Sequence, residues 1–273
     1  MVNGAHQEGD ELYNEKASNI KGALELTHRL FVSLNNGKLH RAPLGRPKFA
    51  LDLGCGSGTW TIDFAKANPS CEVIGIDINP GPCPSDVPNC RFVSGDIQSA
   101  WTWLPEQPID FLHIRGLVGF IQSWSGLLRK ALNCLAPGGW IEIADISYVT
   151  FSDDGSLDQA DGLRRFDKMF EDTLARMGDK LETPSLLGQI VADVGFQNTS
   201  VTKRKLPFSD FSDNVDMKEI AESSAIFHRM DATIIAERGL QPVLNLSAEE
   251  VESVLADALR DMDEPKIKAY RHG

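Results

Sequence analysis

The stretch Leu51-Asp52-Leu53-Gly54-Cys55-Gly56-Ser57-Gly58 decides the architecture of this 273-residue chain. The apolar run from Lys48 to Leu53 reads as a buried strand, glycine at every second position then turns the chain, and Trp60, Ile62 and Phe64 open a helix directly afterwards. Lacking a Cβ, such glycines let the backbone turn sharply and come into contact with a ligand. The spacing Gly54-x-Gly56-x-Gly58 differs from the dinucleotide spacing GxGxxG, and no phosphate loop of the GxxxxGK type occurs anywhere. A strand-linked loop of this kind suits a nucleotide-type ligand. A turn demanded by backbone geometry alone is the plainer alternative.

Working outward, short apolar runs alternate with helical stretches from residue 48 to 146, the signature of a parallel α/β sheet. Strands are expected at Lys48 to Leu53, Glu72 to Ile78, Cys90 to Val93, Ile109 to Ile114 and Trp140 to Ile146. Apolar residues from Leu117 to Leu135 fall at helical spacing and stop before Pro137-Gly138-Gly139. Asn79 to Asn89 is too rich in proline for a regular helix, so a loop replaces the crossover after the second strand. Two late segments, Phe196 to Leu206 and Lys266 to Arg271, bring the expected sheet to seven mostly parallel strands.

Around that core, Ile20, Ala23, Leu24, Thr27, Leu30, Phe31 and Leu34 mark an amphipathic helix ending near Asn36-Gly37. Residues 1–45 thus read as a tail and lid helix, and 46–212 as the core with a helical insertion at about 156–180. Residues 213–262 read as a helical cap and 263–273 as a final strand returning to the core sheet. In the cap, one helix is expected to close at Gly239, and Ser247-Ala248-Glu249-Glu250 is a capping box opening another.

A net charge of −12 argues against nucleic acid, whose recognition needs concentrated lysine and arginine. No apolar stretch approaches the roughly 20 residues of a membrane span, and Met1 to Lys16 does not resemble a signal peptide. The five cysteines form no CxxC pair, which points to reduced thiols and a cytoplasmic location. A Cys83–Cys90 bridge is sterically conceivable, but idle thiols are the expectation. No cluster of histidines and carboxylates has metal-ligand spacing, so no metal is expected. Oligomeric state is left open.

Two carboxylates strengthen the ligand reading. Asp77 ends the second strand nineteen residues after Gly58, where it can accept hydrogen bonds from both ribose hydroxyls. Asp96 follows the third strand, where it can receive an adenine amino hydrogen. All three elements sit at the carboxyl ends of adjacent strands, where open α/β sheets bind ligands.

The runs LDLGCGSGTW, IGIDINP, GDI and APGGWIEIADI resemble the class I S-adenosylmethionine-dependent methyltransferases over roughly residues 46–146. GKLHRAPL, VPNCRFVSGDI, DFLHIRGLVGFIQSW and LAPGGWIEI are similar to the LaeA-like and UMTA-type methyltransferases of fungal secondary metabolism. The resemblance implies a Rossmann-like fold with an N-terminal helical lid and a C-terminal helical cap. It also implies S-adenosyl-L-methionine as cofactor, S-adenosyl-L-homocysteine as product and a small secondary metabolite as acceptor, on oxygen first and nitrogen or sulfur second. In the LaeA branch it implies instead a nuclear regulatory role through protein partners.

By the same resemblance Gly54, Cys55, Gly56 and Gly58 lie against the methionine part, and Asp52 supports the loop and the cofactor amine. Asp77 serves the ribose, Asp96 and Ile97 frame the adenine, Arg115 and Gly116 lie beside the sulfonium, and Ile78 also belongs to the cofactor site. Tyr13 is the aromatic residue that closes over the cofactor. Because a sulfonium is an activated leaving group, a base is optional. His113, ending the fourth strand, and His28, on the lid helix, are the candidates, with His228 on the cap as a residue lining an acceptor pocket.

Overall fold

The computed structural model describes residues 22–178, 183–211 and 215–273. Tyr13, Ile20 and the polar tail lie outside the described residues. Helix α1 (22–34) ends at Asn36 and Gly37, both with positive φ, and leads to β1 (Phe49–Leu53), α2 (Thr59–Ala67), β2 (Glu72–Asp77) and β3 (Cys90–Ser94). Then come β4 (Ile109–Arg115), α3 (Trp124–Cys134) and β5 (Leu135–Ala144). The five strands pair in parallel in the order β3-β2-β1-β4-β5, so the chain winds one way from β1 and then, through β4, the other. Strand order reverses between β1 and β4, and a ligand crevice opens at such a switch point.

Alternation along the strands sorts their side chains onto two faces. Leu51, Leu53, Ile74, Ile76, Leu112 and Ile114 pack on one face with Leu127 and Ala131 of α3. Ala50, Val73 and Phe111 pack on the other with Trp60, Phe64 and Ala65 of α2. Burying each large side chain stabilises the fold by about 1.5–3 kcal/mol. The second face also carries a polar row, because β1–β4 and β4–β5 register aligns Asp52 with His113 and His113 with Glu142.

Several expectations need correction, among them the last core strand, which begins at Leu135 and runs through Pro137-Gly138-Gly139 to Ala144 where Trp140 to Ile146 was expected. The sheet has five parallel strands, not seven: β7 (Lys205–Pro207) and β8 (Ala269–His272) join β6 (Phe151–Ser152) in a separate antiparallel sheet. Residues 263–273 therefore do not return to the core sheet. They dock beside it, through Ser147 N–H to His272 O at 2.7 Å, and of Phe196 to Leu206 only the last two residues are strand. Residues 117–123 form a turn, not the start of α3. Gly116 and Gly119 take positive φ there, and Ser123 caps the helix by accepting from Gly126 N–H at 3.1 Å.

The chain after β6 is helical, with a 3-10 turn (Ser156–Gln159) followed by α4 (Asp161–Met177), α5 (Thr183–Val194) and α6 (Val215–Ile235). The expected stop at Gly239 is instead a π turn, Ala236–Leu240, that continues into α7 (Gln241–Leu244) and ends at Asn245 with φ 58°. Helix α8 (Ala248–Asp263) opens on the capping box, with both reciprocal hydrogen bonds formed. Phe166, Phe170, Ala232, Ala236, Val254 and Ala258 form the core of this cap. Leu30, Phe31 and Leu34 of α1 share a further cluster with Ile146, Leu206 and Phe227, which wedges α1 between core and cap.

Candidate functional site

The glycine loop lies at the carboxyl end of β1, and three of its residues need a left-handed backbone: Gly54 (φ 74°), Gly56 (φ 54°) and Gly58 (φ 80°). The surroundings of Gly54 and Gly58 also crowd any side chain placed there. A Cβ would meet Leu117 Cδ2 at 2.6 Å in one case and Phe92 Cζ at 2.1 Å in the other. Gly56 is different. The nearest atom to its Cβ position is Leu24 Cδ1 of α1 at 3.5 Å, and at Gly116 (φ 66°), ending β4, nothing lies within 4 Å. At Gly56 only the Leu24 side chain thus lies against the backbone, and at Gly116 the backbone is open, a cradle suited to the methionine part of a nucleoside-type ligand.

Asp77 grips this loop from the head of β2. Its Oδ2 accepts Gly56 N–H at 2.9 Å and its Oδ1 accepts Asn79 N–H at 3.0 Å. Gly54 and Cys55 N–H groups meanwhile donate to Ile76 O at 2.8 and 3.0 Å. The carboxylate keeps lone pairs for hydroxyl donors, as the ribose reading requires. Burial, with Asp52 and Asp77 adding to it, pushes the Cys55 thiol far above its ordinary range, so it stays protonated.

One strand further, Asp96 is held by its own loop, with Gln98 N–H on Oδ1 at 2.8 Å and Ser99 Oγ–H on Oδ2 at 2.7 Å. The Ser99 bond, then that of Gln98, holds its carboxyl below the usual range. Ile97 is buried, and its carbonyl accepts from Trp101 Nε1–H at 2.7 Å and Lys130 Nζ at 2.8 Å. Ile78 and Phe120, by contrast, are 76% and 69% exposed, apolar side chains presented at the carboxyl ends of β2 and β4.

The candidate bases are tightly engaged. His28 takes Arg115 Nη2–H on Nδ1 at 3.2 Å and so donates Nε2–H to Asp63 Oδ2 at 3.1 Å. Burial first, then the Arg115 charge, pulls its pKa down and keeps it neutral. His113 is 2% exposed, donates Nδ1–H to Asp52 Oδ1 at 2.8 Å and stacks on Trp60 with centroids 3.7 Å apart. Its pKa is lowered by burial, against the opposing pull of Asp52. The other Asp52 oxygen accepts from Thr61 Oγ–H at 2.6 Å. Arg115 stands over the Phe31 ring at 5.5 Å, and burial lowers its pKa. His228 is fully buried among Phe208 and Phe227 and donates Nε2–H to Leu206 O at 3.1 Å.

The structure therefore gathers Gly54, Cys55, Gly56, Gly58, Asp77 and Ile78 at one end of β1 and β2, and Arg115 and Gly116 on neighbouring β4. His28 and His113 lie on the α1–α2 side of the sheet, and His228 lies inside the cap. Sequence reasoning missed Asp145. Its carboxylate follows β5 and accepts Leu117, Val118 and Ile146 N–H groups at 2.8–2.9 Å, fixing the turn whose Leu117 backs Gly54. Burial pushes it up to about 6. An aspartate just past an apolar strand, opposite a Gly-x-x-Gly turn, is the signal that could have found it.

This arrangement has clear relatives. A methyltransferase domain family matches residues 26–201. The chain belongs to the methyltransferase domain family. It is an enzyme of methyl transfer, and its relatives include fungal methyltransferases and fungal regulators of secondary metabolism. It is 50% identical to methyltransferase cpsF of Aspergillus campestris, over 98% of this chain and 94% of that one. With the secondary metabolism regulator LAE1 of Cochliobolus heterostrophus it shares 29% identity, over 92% and 84%. Among solved structures, phosphoethanolamine N-methyltransferase 2 of Haemonchus contortus aligns with TM-score 0.46 and 14% identity. That match covers 92% of this chain and about half of that one, 51%. Among the described residues, no helix is long and apolar enough to cross a membrane.

Proposed function

We propose that this methyltransferase moves the methyl group of S-adenosyl-L-methionine to an oxygen of a small secondary metabolite. The observation that carries the reading is the glycine cradle gripped by Asp77, with Gly116 open beside it. Its likeness to methyltransferase cpsF along nearly the full length of both chains supports methyl transfer as the activity.

When bound, the cofactor supplies a methyl group already activated on a sulfonium. What remains for the chain is to bind, align and exclude water. In this reading Gly54, Gly56 and Gly58 bring backbone against the methionine part, Asp77 takes the ribose hydroxyls, and Ile78 and Ile97 flank the adenine beside Asp96. Leu24 of α1 covers the loop, and His28 fastens that helix by bridging Asp63 on α2 and Arg115 on β4. His28, with its ring nitrogens taken up by Asp63 and Arg115, positions the lid, and His113, held by Asp52 and shut in beneath Trp60, positions the strand end, so neither takes the acceptor proton. The in-line geometry does the chemistry, and a hydroxyl proton leaves to solvent or to a base on the acceptor side.

Calorimetric titration with S-adenosylmethionine and S-adenosylhomocysteine is the test of the cofactor site. Micromolar binding is expected, with Asp77→Ala weakening it at least tenfold, about 1.4 kcal/mol, at unchanged circular dichroism. Equal affinity in the variant would remove Asp77 from the site. A labelled-methyl assay against fungal metabolite extracts then tests the acceptor. The likeness to LAE1 favours a second reading, a regulator acting through protein partners, and label appearing on protein with none on small molecules would select it.

A further inference from the structure

The loop that replaces a crossover helix after β2 carries two cysteines for which methyl transfer has no use. Cys83 is exposed, and its thiol donates to the carbonyl of Cys90 at 3.0 Å. Cys90, the first residue of β3, is buried at 7% exposure. Its end of the loop is rigid: the Asn89 side-chain amide donates to the carbonyls of Ala65, Asn68 and Cys71 at 2.8–3.1 Å, and Cys90 N–H to Val87 O at 3.1 Å. The other end touches the candidate cofactor site. Gly81 N–H donates to Gly56 O at 3.3 Å, and a Cβ on Gly81 would meet Ser57 O at 2.8 Å. One accessible thiol thus lies against the backbone of a fixed, buried one, on the loop that links the Asp77 strand end to the glycine loop.

We infer that Cys83 and Cys90 form a reversible disulfide that clasps loop 79–89 against the glycine loop. A peroxide is the oxidant. The Cys83 thiolate attacks one peroxide oxygen, the O–O bond breaks, and the other oxygen leaves as water once protonated, giving a sulfenic acid. Cys90 sulfur then attacks the Cys83 sulfur. The S–S bond forms, the S–O bond breaks, and the departing hydroxide takes the Cys90 proton as a second water. Two thiols lose two electrons and one peroxide gains them. The order follows from access, since Cys83 is exposed while burial, and then Cys83 itself, pushes the Cys90 thiol up to about 12.

The test exposes the full chain to stoichiometric hydrogen peroxide, followed by intact mass, thiol titration and peptide mapping. The expected result is loss of two hydrogens, a Cys83–Cys90 cross-linked peptide, and full reversal by dithiothreitol. Cys83→Ser should lose none, and Cys90→Ser should accumulate a dimedone-reactive sulfenic acid at residue 83. An unchanged mass, a different pair, or oxygen added irreversibly to Cys83 overturns the disulfide. The clasp itself is read from S-adenosylhomocysteine, expected to leave the oxidised chain about threefold or more slowly, because a pre-ordered loop holds its ligand better. Equal release rates overturn the clasp. The mass readout needs neither methyl transfer nor ligand, so it stands or falls apart from the proposed function.

Discussion

Gly58 shows how one missing methyl group serves two ends. Its φ of 80° lets the glycine loop turn into α2, and its bare Cα lets the Phe92 ring close against the loop from β3. The same ring needs Gly75, where a Cβ would lie 2.7 Å from Phe92 and 2.9 Å from the Thr61 hydroxyl that holds Asp52. Gly58→Ala should therefore cost about 1–2 kcal/mol in backbone strain. Displacing Phe92 adds roughly 1–3 kcal/mol of overpacking. Urea unfolding of the single variant and of Gly58→Ala with Phe92→Leu separates these parts. The double variant should recover most of the clash and none of the strain, and a neutral single variant would show that the loop adapts freely. The glycine turn after β1 and the placing of Asp77 and Asp96 at strand ends were legible from residue type and spacing, because a tight turn after a buried strand needs residues that accept positive φ. The engagement of His28 with Arg115 and Asp63 was not legible. It joins residues from three elements, and only the packing of α1 brings them together.

Among the elements, β1, β2 and β4 were the most legible, because strands buried on both faces read as continuous apolar runs. Residues 117–123 misled for a physical reason. Val118 and Ile121 are buried in the same cluster as α3, as helical spacing requires, yet the backbone hydrogen bonds of the turn go to Asp145 rather than to a helical ladder. Strands β7 and β8 misled differently. Alternation shows that a segment is extended, but its partner is set by tertiary packing, here the cap that leads β8 to β6 and β7. Helix α8 was legible at its first turn, since Ser247 and Glu250 encode a purely local interaction. The Ser247 hydroxyl accepts Glu250 N–H at 3.2 Å, and Glu250 Oε2 accepts Ser247 N–H at 2.9 Å. Ser247→Ala should lower stability by about 1 kcal/mol. In a chain of this size that is a loss of roughly 2–4 °C in Tm by scanning calorimetry. No shift would mean that packing of Val251, Val254 and Ala258 in the cap core holds the first turn without its cap.

At the scale of the molecule, core, cap and C-terminal strand meet at a buried charged centre. Arg271 of β8 is 1% exposed, donates to Asp167 of α4 at 2.8 Å, lies 3.6 Å from Asp231 of α6 and stands over Tyr148 and Phe208. Burial pushes Asp231, like Asp145, up to about 6. Burial, with Arg271 beside it, pushes His228 down to about 3. These shifts act on stability with opposite signs. An unfolded histidine takes a proton near pH 6.5 while buried His228 does not, so its contribution is present above about pH 6.5 and is lost as pH falls toward the folded value. Asp145 and Asp231 take protons in the folded chain before the unfolded one does, so stability from them rises as pH falls from about 6 to the ordinary carboxylate range. Because these contributions oppose one another, a single variant is needed to expose one side of them. His228→Gln keeps a donor for Leu206 O and removes the titration. Its stability deficit relative to the unaltered chain should be largest near neutrality and shrink by about 1.4 kcal/mol per pH unit below about pH 6. Urea unfolding of both proteins at neutral and mildly acidic pH measures that difference directly. Parallel profiles would mean that His228 titrates in the folded chain as it does in water, and that the cap opens to admit the proton.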